Sequence, residues 1–151
     1  MKVLSLAAVN VKIANDNFGT LSFGGQGESI GTISYSYTNN MFNMETTADG
    51  GAAVSHNASK AATITINILQ TSDAAADLAE FFMQCWNNPV IARSQITCSD
   101  ATNNIDFTAV EAFPVKYPDN QLTDTAAQRT FQFVCRELIP NEHPTNSHYE
   151  A

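Results

Sequence analysis

Hydrophobic and polar residues alternate with period two over several short stretches, the pattern of strands with one buried face. Val9, Val11 and Ile13 alternate with Asn10 and Lys12, and Leu21 and Phe23 form a second short run that ends at Gly24-Gly25. Ile33, Tyr35 and Tyr37 alternate with Thr32, Ser34 and Ser36. The clearest run is Thr63 to Leu69, with Ile64, Ile66 and Ile68 on one side and Thr65 and Asn67 on the other. Ile96 and Cys98 open another strand, and Ile105, Phe107 and Ala109 one that runs toward Phe113. Phe131, Phe133 and Cys135 oppose Gln132, Val134 and Arg136 in the last. The aromatics Tyr35, Tyr37, Phe107, Phe113, Phe131 and Phe133 fall on these strands and read as core.

The period changes once. Ser72 is a plausible N-cap, Asp73 and Asp77 sit in or near the first turn, and Leu78, Phe81, Phe82, Cys85 and Trp86 form one apolar helical stripe. Asn87-Asn88-Pro89 ends it, so the helix is expected over residues 72–86. One helix against several antiparallel strands predicts a mainly β domain with the helix on its flank. Thr38 to Ala62 has few core-forming residues and carries Asp49-Gly50-Gly51 near its middle, which suits a long projecting hairpin or loop. Residues 140–151 read as a polar, proline-bearing tail.

Composition narrows the function. The 151 residues fit a single domain, 1–151. A formal charge of −8, from 7 Lys plus Arg and 15 Asp plus Glu, argues against a phosphate clamp on nucleic acid and against an anionic membrane surface. Only 15% of residues are charged, so much of the surface is Ser, Thr, Asn and Gln, which suits a subunit covered by copies of itself. Met1 to Ala8 carries an apolar run at the short limit for a secretory signal, with no good cleavage site after it. No stretch approaches the roughly 20 apolar residues of a membrane span. Cys85, Cys98 and Cys135, odd in number and widely spaced, read as buried thiols.

Catalytic chemistry finds no foothold. His56 lies in the projecting segment and His143 and His148 in the tail, without metal-ligand spacing. No G-x-S-x-G occurs, and Phe23-Gly24-Gly25-Gln26-Gly27-Glu28 lacks the lysine and following helix of a phosphate loop. No acidic pair is framed for acid–base work. The expectation is a structural protein, with no cofactor and no metal.

Three stretches, Glu45 to Phe82, Asn104 to Cys135 and, more weakly, Phe18 to Gly31, resemble the tail tube proteins of long-tailed bacteriophages, especially the small tube proteins of contractile, Mu-like tails. The resemblance rests on an ordered series. It runs from Asp49-Gly50 through Thr63 to Leu69 and Gln70-Thr71-Ser72 to Val110-Glu111-Ala112, Pro114 to Pro118 and Arg129-Thr130-Phe131-Gln132-Phe133. Phe131 stands where many relatives have Trp, and the tail after Cys135 is longer than the family pattern. The resemblance implies a β-sandwich or split barrel with one flanking helix. It implies homo-hexameric rings stacked into a virion tail tube, with sheath, tail terminator and baseplate hub proteins as partners. DNA would pass through the lumen without specific binding, and no membrane is involved. It makes residues 38–62 an arm to the adjacent ring, contacting it through Met41, Phe42, Met44, Asp49, Gly50 and His56. Asp106 and Glu111 are the lumen-facing candidates, and both can face the lumen only if a bulge intervenes; the alternative is that either simply pairs with Arg129 or Arg136. Two other readings are the tube protein of a type VI secretion-like contractile system and a carbohydrate-binding β-sandwich module.

Overall fold

The computed structural model describes residues 9–24, 30–100 and 105–142. The Met1 to Ala8 start, most of the Phe23 to Glu28 turn, and the tail with His143 and His148 lie outside the described residues.

The described residues form nine strands and one α-helix: β1 (Val9–Asn15), β2 (Gly19–Gly24), β3 (Ile30–Tyr37), β4 (Phe42–Thr46), β5 (Ala52–His56), β6 (Ala62–Leu69), α1 (Asp73–Asn87), β7 (Ser94–Asp100), β8 (Ile105–Pro114) and β9 (Gln128–Glu142), with a short 3-10 turn at Pro89–Ile91. Seven strands form one antiparallel sheet in the order β2-β1-β7-β8-β9-β6-β3, while β4 and β5 pair only with each other. The last strand runs to Glu142, so Pro140, expected at the start of the tail, still belongs to the sheet.

The sheet is curled, and chain length requires it. Strands β2 and β3 lie at opposite edges, yet only residues 25–29 join them. Six Cα–Cα steps reach at most about 22 Å, whereas six strand spacings in a flat sheet span about 29 Å. The side chains register the same curl. Tyr35 on β3 meets Phe107 on β8 with ring centroids 5.1 Å apart, although two strands separate β3 from β8. The Tyr37 hydroxyl donates to the Leu138 carbonyl of β9 at 2.7 Å. The result is an open, split-barrel sheet with free edges at β2 and β3 among the described residues.

Helix α1 fills the concave side. Ser72 caps it by accepting from the Ala74 amide at 3.1 Å, and the Asn88 amide closes the last turn on the Gln84 carbonyl at 3.0 Å before Pro89. Its buried face, Ala74, Ala75, Leu78, Ala79, Phe81, Phe82 and Cys85, meets the inward residues of the strands. Phe82 stands edge-on to both Phe131 and Phe133, at 5.4 and 5.0 Å, geometry that suits the ring quadrupoles. Trp86 departs from the expected stripe. It is 68% exposed, because the last helical turn overhangs the end of β8 and leaves the indole at the rim of an open groove. Tyr37 and Phe113 are likewise partly exposed rather than core, one on an edge strand and the other at the end of β8.

Buried polar groups serve the connections. Asn15 donates to the Arg93 carbonyl and Ser94 Oγ, and its own carbonyl oxygen accepts from the Asn17 and Phe18 amides, so one side chain ties the β1–β2 turn to β7. Arg129 faces inward on β9. Its guanidinium donates to the Pro118 and Asp119 carbonyls and stacks on Tyr117 and Phe131, which pins the long β8–β9 connection.

Two outcomes follow. Phe82→Ala removes the ring that joins helix to sheet and is expected to cost about 3–5 kcal/mol in chemical denaturation. Burial raises the Cys85 thiol to about 11, so the unfolded chain ionises first. That contribution is intact below about pH 9 and is lost as pH rises through the folded value. Stability measured against pH is expected to fall over this window, and less steeply in Cys85→Ala.

Candidate functional site

No enclosed reactive centre exists among the described residues, and no cluster of three or more His, Cys, Asp or Glu is placed to hold a metal. No described helix is long and apolar enough to cross a membrane. What the fold leaves uncovered is a sheet face, two sheet edges and a hairpin.

The uncovered sheet face is polar but sparsely charged. Register places Thr32, Asn67 and Thr130 side by side on β3, β6 and β9. Thr130 Oγ1 donates to Asn67 Oδ1 at 2.6 Å, and Asn67 Nδ2 donates to Thr32 Oγ1 at 2.5 Å, forming a polar ladder across three strands. Ser34, Thr65 and Gln132 make the next rung. Such a surface keeps its water, with Val134 and Ile139 as apolar exceptions on β9 and Lys12 as an exposed cation on β1.

A bulge governs the acids of this face. Ile96 pairs with Ala109 but Ser94 pairs with Ala112, so Val110 and Glu111 together oppose Gln95. Glu111 takes φ 54°, the left-handed region, and the buried positions of β8 shift from Phe107 and Ala109 to Ala112. Asp106 and Glu111, which strict alternation would put on opposite sides, therefore both point away from the core. Glu111 also acts as an ion-pair hub, 2.7 Å from Arg136 and 3.7 Å from Arg93. Arg136 and Lys60 each reach Glu137 at 3.9 Å. Arg129, turned inward, takes no part. These exposed pairs are individually weak, but they mask Arg93, Arg136 and Lys60 on a face that also carries the exposed Lys12. Asp106 Oδ1 is buried without a hydrogen-bond partner among the described residues.

The edges are unguarded. β2 and β3 contain no charged residue and no proline, the usual devices against edge pairing; a bulge near Gly31 is the only irregularity in the pairing of β3 with β6.

The hairpin β4–β5 is exposed along its whole length. Its register, Phe42 with His56, Met44 with Val54 and Thr46 with Ala52, gathers the apolar side chains on one face, and Phe42 stacks on His56 at 5.1 Å. Met41, Phe42, Met44 and Val54 are all more than half exposed. Asp49 and Gly50 build the tip instead. The Asp49 carboxylate accepts from Thr47 Oγ1 and from the Gly51 amide, which holds its pKa below the ordinary value, and Gly50 takes φ +87°. At the base, the Thr38 amide donates to the Ala61 carbonyl at 3.0 Å. Ala62 already lies buried in β6. An isolated two-stranded ribbon is marginal in water, so a bare apolar face on one points to a covering partner. Sequence reasoning found this segment by its lack of core residues. Trp86 and its groove were missed because the helical period counted the indole as core.

The family described as the bacteriophage PhiTE tail tube protein matches residues 1–139. No curated protein matches the sequence. Among solved structures, a chain of the PVC extracellular contractile injection system sheath–tube complex in the extended state aligns with TM-score 0.60 and 12% identity, over 93% of this chain and 93% of that one. A chain of the anti-feeding prophage tube-terminating cap aligns with TM-score 0.59 and 11% identity, over 95% and 93%. A chain of the anti-feeding prophage baseplate aligns with TM-score 0.58 and 10% identity, over 94% and 97%. At these identities the likeness is one of fold.

The left-handed backbone at residue 111 is expected to make Glu111→Gly more stable than Glu111→Ala by about 1 kcal/mol, the reverse of their order in a regular strand. Parallel denaturation curves check this.

Proposed function

The chain belongs to the bacteriophage PhiTE tail tube protein family, and from that premise we propose that it is the repeating subunit of stacked hexameric rings whose polar sheet faces line a conduit. It is a structural tube protein rather than an enzyme. The observation that carries the ring reading is the one-sided sheet, with a core face sealed by α1, a largely polar opposite face and two edges without charge or proline. Pairing the β2 edge of one copy with the β3 edge of the next would remove both edges and close a ring. Asp106 and Glu111 then face the lumen, and the masked arginines leave no strong hold for a polyanion. In a phage tail the conduit carries DNA toward the host without binding it. Sheath, terminator and baseplate proteins are the partners this reading adds, since similar folds occur in a PVC sheath–tube complex and in the anti-feeding prophage baseplate and cap.

A second reading is supported by those same structures, which come from contractile injection systems. In it the tube serves an injection device, related in architecture to type VI secretion, and its lumen holds a cargo other than DNA. Genomic neighbours separate the two: capsid genes support a tail, secretion genes the device. A carbohydrate-binding module is disfavoured, because the family that matches residues 1–139 is a tail tube family.

Electron microscopy of the purified protein is expected to show rings about six subunits round, or tubes. A preparation that stays monomeric at every concentration and salt would overturn the reading. In the tube form, mobility-shift assays are expected to show no retention of duplex DNA.

A further inference from the structure

Behind the helix lies a groove of about 360 Å³ between the end of α1 and the end of β8, lined by Trp86, Pro89, Phe113, Val115, Lys116 and Tyr117 among others. That volume corresponds to about a dozen water molecules, room for a few large side chains. It is predominantly apolar. Lys116 is its only charged lining residue, and Lys116 has no ion pair among the described residues. The hairpin is its counterpart in chemistry. From Phe42 to His56 it holds two acids, Glu45 and Asp49, and no Lys or Arg. Its apolar face is bare.

We propose that this groove receives the β4–β5 hairpin of a second copy, with Phe42 and Met44 seated against Trp86, Val115 and Tyr117 and the acidic hairpin drawn by Lys116. This rests on the tube reading and names the receiving surface for its arm. Patch and groove are different surfaces of one chain, so the contact is head-to-tail. It propagates from copy to copy instead of stopping at a dimer, as a tube requires. Burial of the hairpin's apolar face and release of groove water drive it, and the opposite charges set orientation more than affinity.

The test uses the full chain with a photo-crosslinking residue in place of Phe42, or of Met44 should the first substitution prevent assembly. Adducts formed under assembling conditions are mapped by mass spectrometry. The expected product joins two copies, with the adduct on Trp86, Val115 or Tyr117. Trp86 is the single tryptophan of the chain, so its emission is expected to move to shorter wavelength in unmodified protein as rings stack. Lys116→Glu is expected to weaken assembly, since it removes the one positive charge at the groove and sets like charge against an acidic hairpin. Tubes whose adducts map to another surface, or to another copy's hairpin, overturn the groove assignment while leaving the tube reading intact. So does unchanged Trp86 emission. Absence of any assembly overturns the tube reading itself, and the groove assignment falls with it.

Discussion

A seven-stranded sheet has two faces, and the described residues supply one α-helix to cover them. That asymmetry shapes everything else. Seating Phe82 between Phe131 and Phe133 draws the strands around α1, and the short β2–β3 connection holds the curl. The concave face becomes a closed apolar core. The convex face receives no covering element among the described residues, and most of its side chains prefer water. Thr, Ser, Asn and Gln meet that demand without adding charge, and the ladder Thr32–Asn67–Thr130 spends their hydrogen-bonding capacity on one another.

The same asymmetry makes the fold incomplete as a monomer. A curl that stops short of closure leaves two edges, and neither carries a lysine, a proline or another charge to discourage pairing. The hairpin presents apolar side chains to solvent with no body behind them, and the groove beside Trp86 presents an apolar wall with nothing in front. Each feature is a cost in isolation. Together they are the surfaces that the proposed assembly would cover, in a chain that belongs to a tail tube family.

Much of this was legible in the sequence. Period two in Val9–Ile13, Thr63–Leu69 and Phe131–Cys135 marks strands because each has one buried and one wet face, so every second residue reports its side. The Ser72 cap and the Asn88-Pro89 stop mark the helix ends through backbone hydrogen bonding, which is local. The resemblance added the family. Legibility failed where a side chain's fate depended on what lay opposite it. Trp86 obeys the helical period yet overhangs the sheet. Tyr37 obeys the strand period yet lies on an edge.

The bulge at Val110–Glu111 shows where the division falls. Sequence alone determined a mainly β chain with one amphipathic helix, a polar projecting segment and acids on β8, because alternation, capping and turn chemistry act between residues close along the chain. It also determined the low charge. Only the tertiary structure decided that Asp106 and Glu111 share a face, that Arg129 turns inward to hold a loop while Arg136 meets Glu111, and that the apolar residues of the hairpin gather on one side. These depend on strand register, and register is set by the packing of residues far apart in sequence, where a single extra residue on one strand reverses every side chain beyond it.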